Sequence, residues 1–541
     1  MHNNNLMVVY RPLLLTLLLL LNVMLLEGIT AGSSENPGQA LTVGGIVFHD
    51  VDKSGVFDYE VDIPLEGVAV SNGREVVYSG SDGSYNLPLR DPSVIFVIKP
   101  GNWMVPTCDM NLPRFYYLYN TEELSGDSFE GLPPSGSLPS SLDFPLYPSD
   151  EPDTFQVLVF GDTQPRDDRE IHYIAHDVVT ELIGSDAAFG VTLGDVVFDD
   201  LDLYDHINRT VATIGIPWSN VLGNHDIDFT ADDDHNARGV FYRTFGPSYY
   251  SFSYGSAHFI LLDNIRWITE GSERYYRTGL GEDQMIFLRN ELTRVGRDTP
   301  VFIMTHIPWY GPGGGFYWQY EEEKNELLGL LAKYPNTVSL VSHHHKHYHL
   351  FLDSEHGFPG EEPHHMISVG SVCGAWWTGA PDEYGIPHAM MSDGTPTSYT
   401  KLHIDGNDWK LGWKAARRPD DFQMHIHAPD EVPVDLLGQT NVTVNIFNAL
   451  PDAKVRMRIA GEDDWIQMQM VRKDDPIRVA ALEWERNLEE TAWRPLSGLR
   501  HYGHVWEALL PDDLQPGVHV IHVEGNDKWW NYSGSRILRI E

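Results

Sequence analysis

Apolar and polar positions along this chain fall into three regimes, and each predicts a different kind of structure. Over residues 41–100 the pattern is short β-like runs, at 44–48, 67–70, 76–78, 85–87 and 94–98. Asn72-Gly73 and Asp82-Gly83 separate some of them, and both dipeptides favour the tight turns that join antiparallel strands. This spacing predicts a small β-sandwich module over 41–105. Residues 106–150 carry clustered Pro, Gly and Ser and read as a linker. From 151 to 400 apolar runs alternate with helical patterns, the sign of layered α and β structure. One such helix covers 169–183, where Ile171, Ile174, Ala175, Val178, Val179 and Leu182 share a stripe. Beyond 405 the pattern returns to β runs at 442–447, 455–459 and 518–523 with no long helix, predicting a second sandwich over 405–541.

The first 31 residues have a different logic. Arg11 precedes a leucine-rich run over 13–26, and small residues follow from Gly28 to Gly32. A run of about 14 residues falls short of the roughly 20 that a membrane helix needs. It fits the core of a cleavable signal peptide over 1–31. The expected location is secreted or periplasmic, with no stable membrane span after signal removal.

The formal charge of −41 argues against a nucleic acid polymer as partner, because phosphate backbones are bound by Lys and Arg stripes. At 541 residues with 42% apolar content, the chain has material for several cores. Cys108 and Cys373 are the two cysteines, and they read as separate thiols rather than a bridge.

Five apolar runs end in residues that can bind metal. They lead to Gly161-Asp162-Thr163-Gln164, to Gly194-Asp195 with Asp199 soon after, to Gly223-Asn224-His225-Asp226, to Thr305-His306-Ile307-Pro308, and to His343-His344-His345-Lys346-His347. Loops at the carboxyl ends of strands form the crevice of an α/β sheet, so these five can converge. Carboxylates, amides and imidazoles without thiolate are the ligand set of two adjacent divalent ions, a hydrolytic arrangement.

In this order the motifs resemble the calcineurin-like metallophosphoesterase superfamily, in particular a bacterial secreted subgroup with N- and C-terminal modules. The resemblance implies a central β-sandwich flanked by helices, four layers αββα, between two β-sandwich domains. It implies Asp162 on the first metal, with Gln164 standing where the family commonly has His, and Asp195 bridging. Asn224 and His306 go to the second metal, and a final histidine pair splits between the two. Both His343/His345 and His345/His347 have the required spacing; the first follows the strand directly and is preferred, with His349 in support. His225 faces the substrate and Asp226 holds its tautomer, while Asp199 or Asp200 orients a ligand from behind. Phe198 replaces the tyrosine ligand of purple acid phosphatases.

Arg166, Trp309, Tyr310, Trp376 and Trp377 are candidate substrate contacts, the aromatics for stacking, although packing between domains would use them equally well. Asp50, Asp52, Ser54 and Asp58 mimic the start of a calcium loop whose twelfth position is Val61 instead of Glu. The expected function is hydrolysis of phosphate mono- or diesters by a hydroxide activated on two divalent metals (Mn, Fe, Zn or Mg). Diesters and sugar or glycan phosphates have a slight edge. The rival is a cell-surface binding or adhesion protein with a vestigial phosphoesterase domain.

Overall fold

The computed structural model describes residues 41–311, 313–499 and 505–541. The stretch over 1–31 read as a signal peptide lies outside them. Among the described residues no helix is long and apolar enough to cross a membrane.

The five N-terminal runs form strands Thr42–His49, Ala69–Ser71, Val76–Tyr78, Ser84–Pro88 and Ser93–Val97, shared between two sheets. The linker expected over 106–150 is a correction. Tyr116–Tyr119 pairs antiparallel with Ser93–Val97, and Phe144–Pro148 runs parallel to Thr42–His49. These partners are distant in sequence, so no local periodicity marks them. Val47, Leu87, Ile95 and Val97 belong to the same apolar cluster as Phe259 and Phe302. The N-terminal region therefore shares its core with the region that follows.

Two sheets organise that region. One has the order Trp218–Asn220, Phe189–Thr192, Thr154–Phe160, Ser398–Asp405, Asp408–Ala415, with the first three strands parallel. The other runs Tyr250–Tyr254, Ala257–Leu261, Val301–Met304, Thr337–Val341, His364–Ser368, Tyr348–Leu352. Alternation along Thr154–Phe160 sorts its side chains. Val157 and Val159 join the cluster of the second sheet, while Leu158 and Phe160 pack with Ile171, Ile174 and Val178 of the helical stretch. The strands Ser398–Asp405 and Asp408–Ala415 carry this region past the boundary expected at 400.

The helix expected over 169–183 is split into Asp168–Ile174, a wider turn Ala175–Val179, and Thr180–Leu182. Asp167 caps its start by accepting from Glu170 N at 3.0 Å.

The C-terminal region builds two sheets around Val442, Val444, Val455, Met457, Trp506 and Ile521. It also contains a helix, Pro476–Arg486, where none was expected. Its start signal is conventional. Asp475 accepts from Ile477 N at 2.7 Å and Arg478 N at 3.0 Å, and Pro476 takes the first helical position.

Candidate metal centre

The parallel strands of both sheets deliver their following loops to one place. Thr154–Phe160 leads to Asp162, Phe189–Thr192 to Asp195, Trp218–Asn220 to Asn224, Val301–Met304 to His306, and Thr337–Val341 to His343 and His345. His306 Nε2 lies 3.1 Å from Asn224 Oδ1, 3.2 Å from Asp195 Oδ2 and 3.2 Å from His343 Nδ1. The other nitrogen of that ring, Nδ1, donates to the Leu193 carbonyl at 2.8 Å, which leaves Nε2 aimed at the cluster. Beside it, His345 Nε2 stands 3.2 Å from Asp162 Oδ2, and its Nδ1 donates to the Gly374 carbonyl at 2.5 Å. Asp162 Oδ1 accepts from the Ser342 hydroxyl and, at 3.1 Å, from His343 N. Its Oδ2 is buried with no hydrogen-bond partner.

An orphaned carboxylate oxygen facing an imidazole nitrogen, next to four converging acceptor atoms, fits divalent cations. Nitrogen and oxygen donors without thiolate suit Mn, Fe, Zn or Mg.

The electrostatics agree. Burial opposes a charged His306, yet Asp195 and Asp162 overcome it and push the ring up to about 9. Burial likewise opposes a charged His345, and Cys373 and Asp162 outweigh it. Burial and the charge of His306 take His343 down to about 4. Burial would raise Asp162 and Asp195, but the facing imidazoles hold both carboxyls low. The carboxylates demand positive charge, which imidazoles meet as protonated groups or by ligating cations.

Local backbone strain marks the same place. Of the twelve non-glycine residues with positive φ among the described residues, seven are Gln164, Asp195, Asp199, His343, His345, Trp376 and Trp377. Gly223 is required for a different reason: a Cβ there would stand 2.0 Å from Asp195 N.

His225 sits at the edge of the cluster. Its backbone N donates to Asp195 Oδ1 at 2.9 Å, and its ring stacks on Phe198 with centroids 4.4 Å apart. Its Nδ1 meets Asp199 Oδ1 at 2.6 Å. Burial opposes charge on this ring, but Asp195 and Asp199 raise its pKa.

The orienting role expected of Asp226 therefore falls to Asp199. Asp226 is wholly buried and accepts from Gly223 N at 2.8 Å, Val196 N at 3.0 Å and the Tyr204 hydroxyl at 3.1 Å. It ties the Asp195 loop to the Asn224 loop. Burial, then the charge of Asp195, lifts its pKa to about 7.

Gln164 donates Nε2 to Asp195 Oδ2 at 2.9 Å and steadies that carboxylate, while its Oε1 remains an acceptor.

Of the five candidate substrate contacts, two border the site. Trp376 packs on His345 with ring centroids 4.0 Å apart. Arg166 donates to the Trp376 carbonyl at 2.9 Å and lies over Phe198. Trp309 and Trp377 are 1% and 2% exposed and belong to the cores, and Tyr310 packs on Phe316 and His356. A glycine-rich neighbourhood resembles an open loop in sequence, but these indoles are buried in the apolar clusters.

His347 and His349 turn away from the ligands. Both approach Asn448 Oδ1, at 2.8 and 3.1 Å, so His349 does not support the site directly. Asp200 caps the short turn Leu201–Leu203. Cys108 and Cys373 are free thiols.

The calcium-loop reading changes membership. Asp50, Asp52 and Asp62 gather ligand oxygens within 4.8 Å of one another. Asp58 Oδ1 instead accepts from Glu60 N at 2.9 Å, and the Ser54 hydroxyl donates to the Val56 carbonyl at 3.0 Å.

Three family models match successive stretches of the chain. The family model described as Calcineurin-like phosphoesterase matches residues 155–347. Those described as the N terminal and the C terminal of Calcineurin-like phosphoesterase match 52–132 and 367–532. Purple acid phosphatase 13 of Arabidopsis thaliana is 29% identical over 142 residues, 24% of this chain and 24% of its own length. Purple acid phosphatase 23 of the same plant is 27% identical over 149 residues, 25% of this chain and 29% of its own. The chain thus spans about a quarter of the length of the curated relatives it matches. An endo-beta-1,4-mannanase from Thermotoga petrophila superposes at a TM-score of 0.16 with 10% identity, over 70% of this chain and 72% of its own, too poorly to carry weight. With all three family models in chain order and the strand-end ligands gathered, the chain belongs to the calcineurin-like phosphoesterase family.

Proposed function

We propose that this chain is a metal-dependent phosphoesterase acting on phosphate mono- or diesters. The observation that carries the reading is the convergence of Asp195, Asn224 and His343 on His306 Nε2, with Asp162 and His345 alongside. Asp162 and His345 would hold one divalent cation and Asn224, His306 and His343 a second, with Asp195 shared. Such a pair, when bound, lowers the pKa of water and neutralises phosphate oxygens.

The chain's own residues do the rest. The Asp199 carboxylate accepts a hydrogen bond from Nδ1–H of His225 and favours the protonated ring, so that Nε2–H can give its proton to the leaving oxygen and leave the ring neutral. Stacking on Phe198 fixes the plane of the ring. Asp226 keeps the Asp195 and Asn224 loops in register. Arg166 and Trp376 at the border are the proposed substrate contacts. The edge for diesters or glycan phosphates rests on Trp376 alone, because Trp309 and Trp377 are buried.

The finer architecture we propose is αββα, with sandwich-type terminal modules. From the apolar run over 13–26 we propose an extracytoplasmic location. The Asp50, Asp52 and Asp62 cluster supports a structural Ca²⁺, which would raise the melting temperature in a calcium titration.

The rival reading is a binding protein with a vestigial centre. The retained His225–Asp199 pair favours the enzyme. The test is hydrolysis of p-nitrophenyl phosphate and bis-p-nitrophenyl phosphate with Mn²⁺ and after chelation. Mn²⁺-dependent turnover is expected. No turnover with any divalent metal would favour the binder.

A further inference from the structure

The turn that carries His343 and His345 is strained, with φ of 68° and 51° at the two residues. Such a conformation persists only where the surroundings over-determine it. Part of that restraint comes from outside the catalytic region. Asn448 follows the strand Asn441–Ile446 of the C-terminal region and is 1% exposed. Its Nδ2 donates to the Leu411 carbonyl at 2.9 Å, which fixes the amide's orientation, since only the nitrogen can donate. Its Oδ1 is thereby turned to the imidazoles of His347 and His349, at 2.8 and 3.1 Å. The His347 tautomer is set separately: Gly370 N donates to its Nδ1 at 3.3 Å, so the proton sits on Nε2 and points at Asn448.

The backbone of His347 is held from the same side. Its N donates to Asp393 Oδ2 at 2.8 Å, and the Asp393 carbonyl accepts from Asn445 Nδ2 at 2.9 Å. Only Lys346 separates this anchor from His345, whose Nε2 faces Asp162.

We propose that Asn448 is a positioning residue for the metal centre: by accepting from His347 and His349, it holds the strained turn so that His343 and His345 meet their cations. The C-terminal region is then part of the centre's support. This rests on the metal-centre reading above.

The test compares Mn²⁺ binding by calorimetry in the full-length protein and three variants. Asn448→Leu keeps the volume but removes the acceptor, and Asn448→Asp keeps an acceptor for the imidazoles while losing the donor to the Leu411 carbonyl. Val455→Ala opens the C-terminal core without touching the turn. The expected result is a loss of roughly 10- to 100-fold in Mn²⁺ affinity for Asn448→Leu. Affinity for Asn448→Asp should lie between those of the leucine variant and the parent, and Val455→Ala should bind as the parent does. Asn448→Ser serves in place of Asn448→Leu if the latter does not fold. The proposal is overturned if the leucine or serine variant binds Mn²⁺ like the parent. It is equally overturned if Val455→Ala loses affinity to the same extent. Absence of Mn²⁺ binding by the parent protein would instead defeat the metal-centre reading itself.

Discussion

The His225 imidazole is paired with Asp199, not with the neighbouring Asp226: Nδ1 and Oδ1 are 2.6 Å apart. The two carboxylates serve separate tasks. One carboxylate orients an imidazole at the edge of the site, and the other fastens two loops beneath it. The distinction separates the expected effects of their substitution.

Asp199→Asn should lower kcat on the order of 10²-fold while leaving metal content unchanged, because it disturbs only the proton donor. His225→Ala should do at least as much. Metal analysis beside initial rates checks both. Loss of bound metal in either variant would contradict the assignment.

Asp226→Ala should act on stability and metal together. It strands the buried N–H groups of Gly223 and Val196, at about 1–3 kcal/mol for each unsatisfied group. Thermal unfolding with and without Mn²⁺ should show a lowered midpoint and weakened metal stabilisation.

Gly223→Ala should cost metal binding more than its single methyl suggests. The added Cβ would lie 2.0 Å from Asp195 N and 2.3 Å from Asp195 Oδ1, so the carboxylate must move. A Mn²⁺ titration should show reduced affinity in a protein whose circular dichroism is unchanged.

Metal and protons compete for His306. Its folded pKa of about 9 lies above the ordinary 6.5, with burial opposing and Asp195 favouring the raised value. For the chelated protein, this group's contribution to stability is fully present below pH 6.5. It is lost as pH rises through 9. Binding of Mn²⁺ should release protons and tighten over the same interval. Melting curves between pH 6 and 9.5, with and without chelator, should therefore diverge as pH rises.

Much of the site was legible because each ligand directly follows an apolar run. The pattern marked the motifs, the family resemblance pointed within them to Asp162, Asp195, Asn224, His306, His343 and His345, and the structure brings these six together. What escaped the sequence was direction and distance. Asp226 adjoins His225 in the chain but is buried beneath it, whereas Asp199 reaches the ring across loops from 26 positions away. Trp309 and Trp377 have loop-like neighbours, yet their indoles are buried in the apolar clusters. The strand Phe144–Pro148 pairs with Thr42–His49, beyond the reach of any local pattern. The helix Pro476–Arg486 did carry a signal, Asp475-Pro476, which the surrounding β runs obscured. Asn448 carried none, since its role exists only where two regions meet.

The most direct test of the account is anomalous diffraction from crystals loaded with Mn²⁺. Two peaks about 3.5–4 Å apart are expected. One should be bounded by Asp162 and His345, the other by Asn224, His306 and His343, with Asp195 between them. No peak at this cluster, or manganese bound only elsewhere, would contradict it.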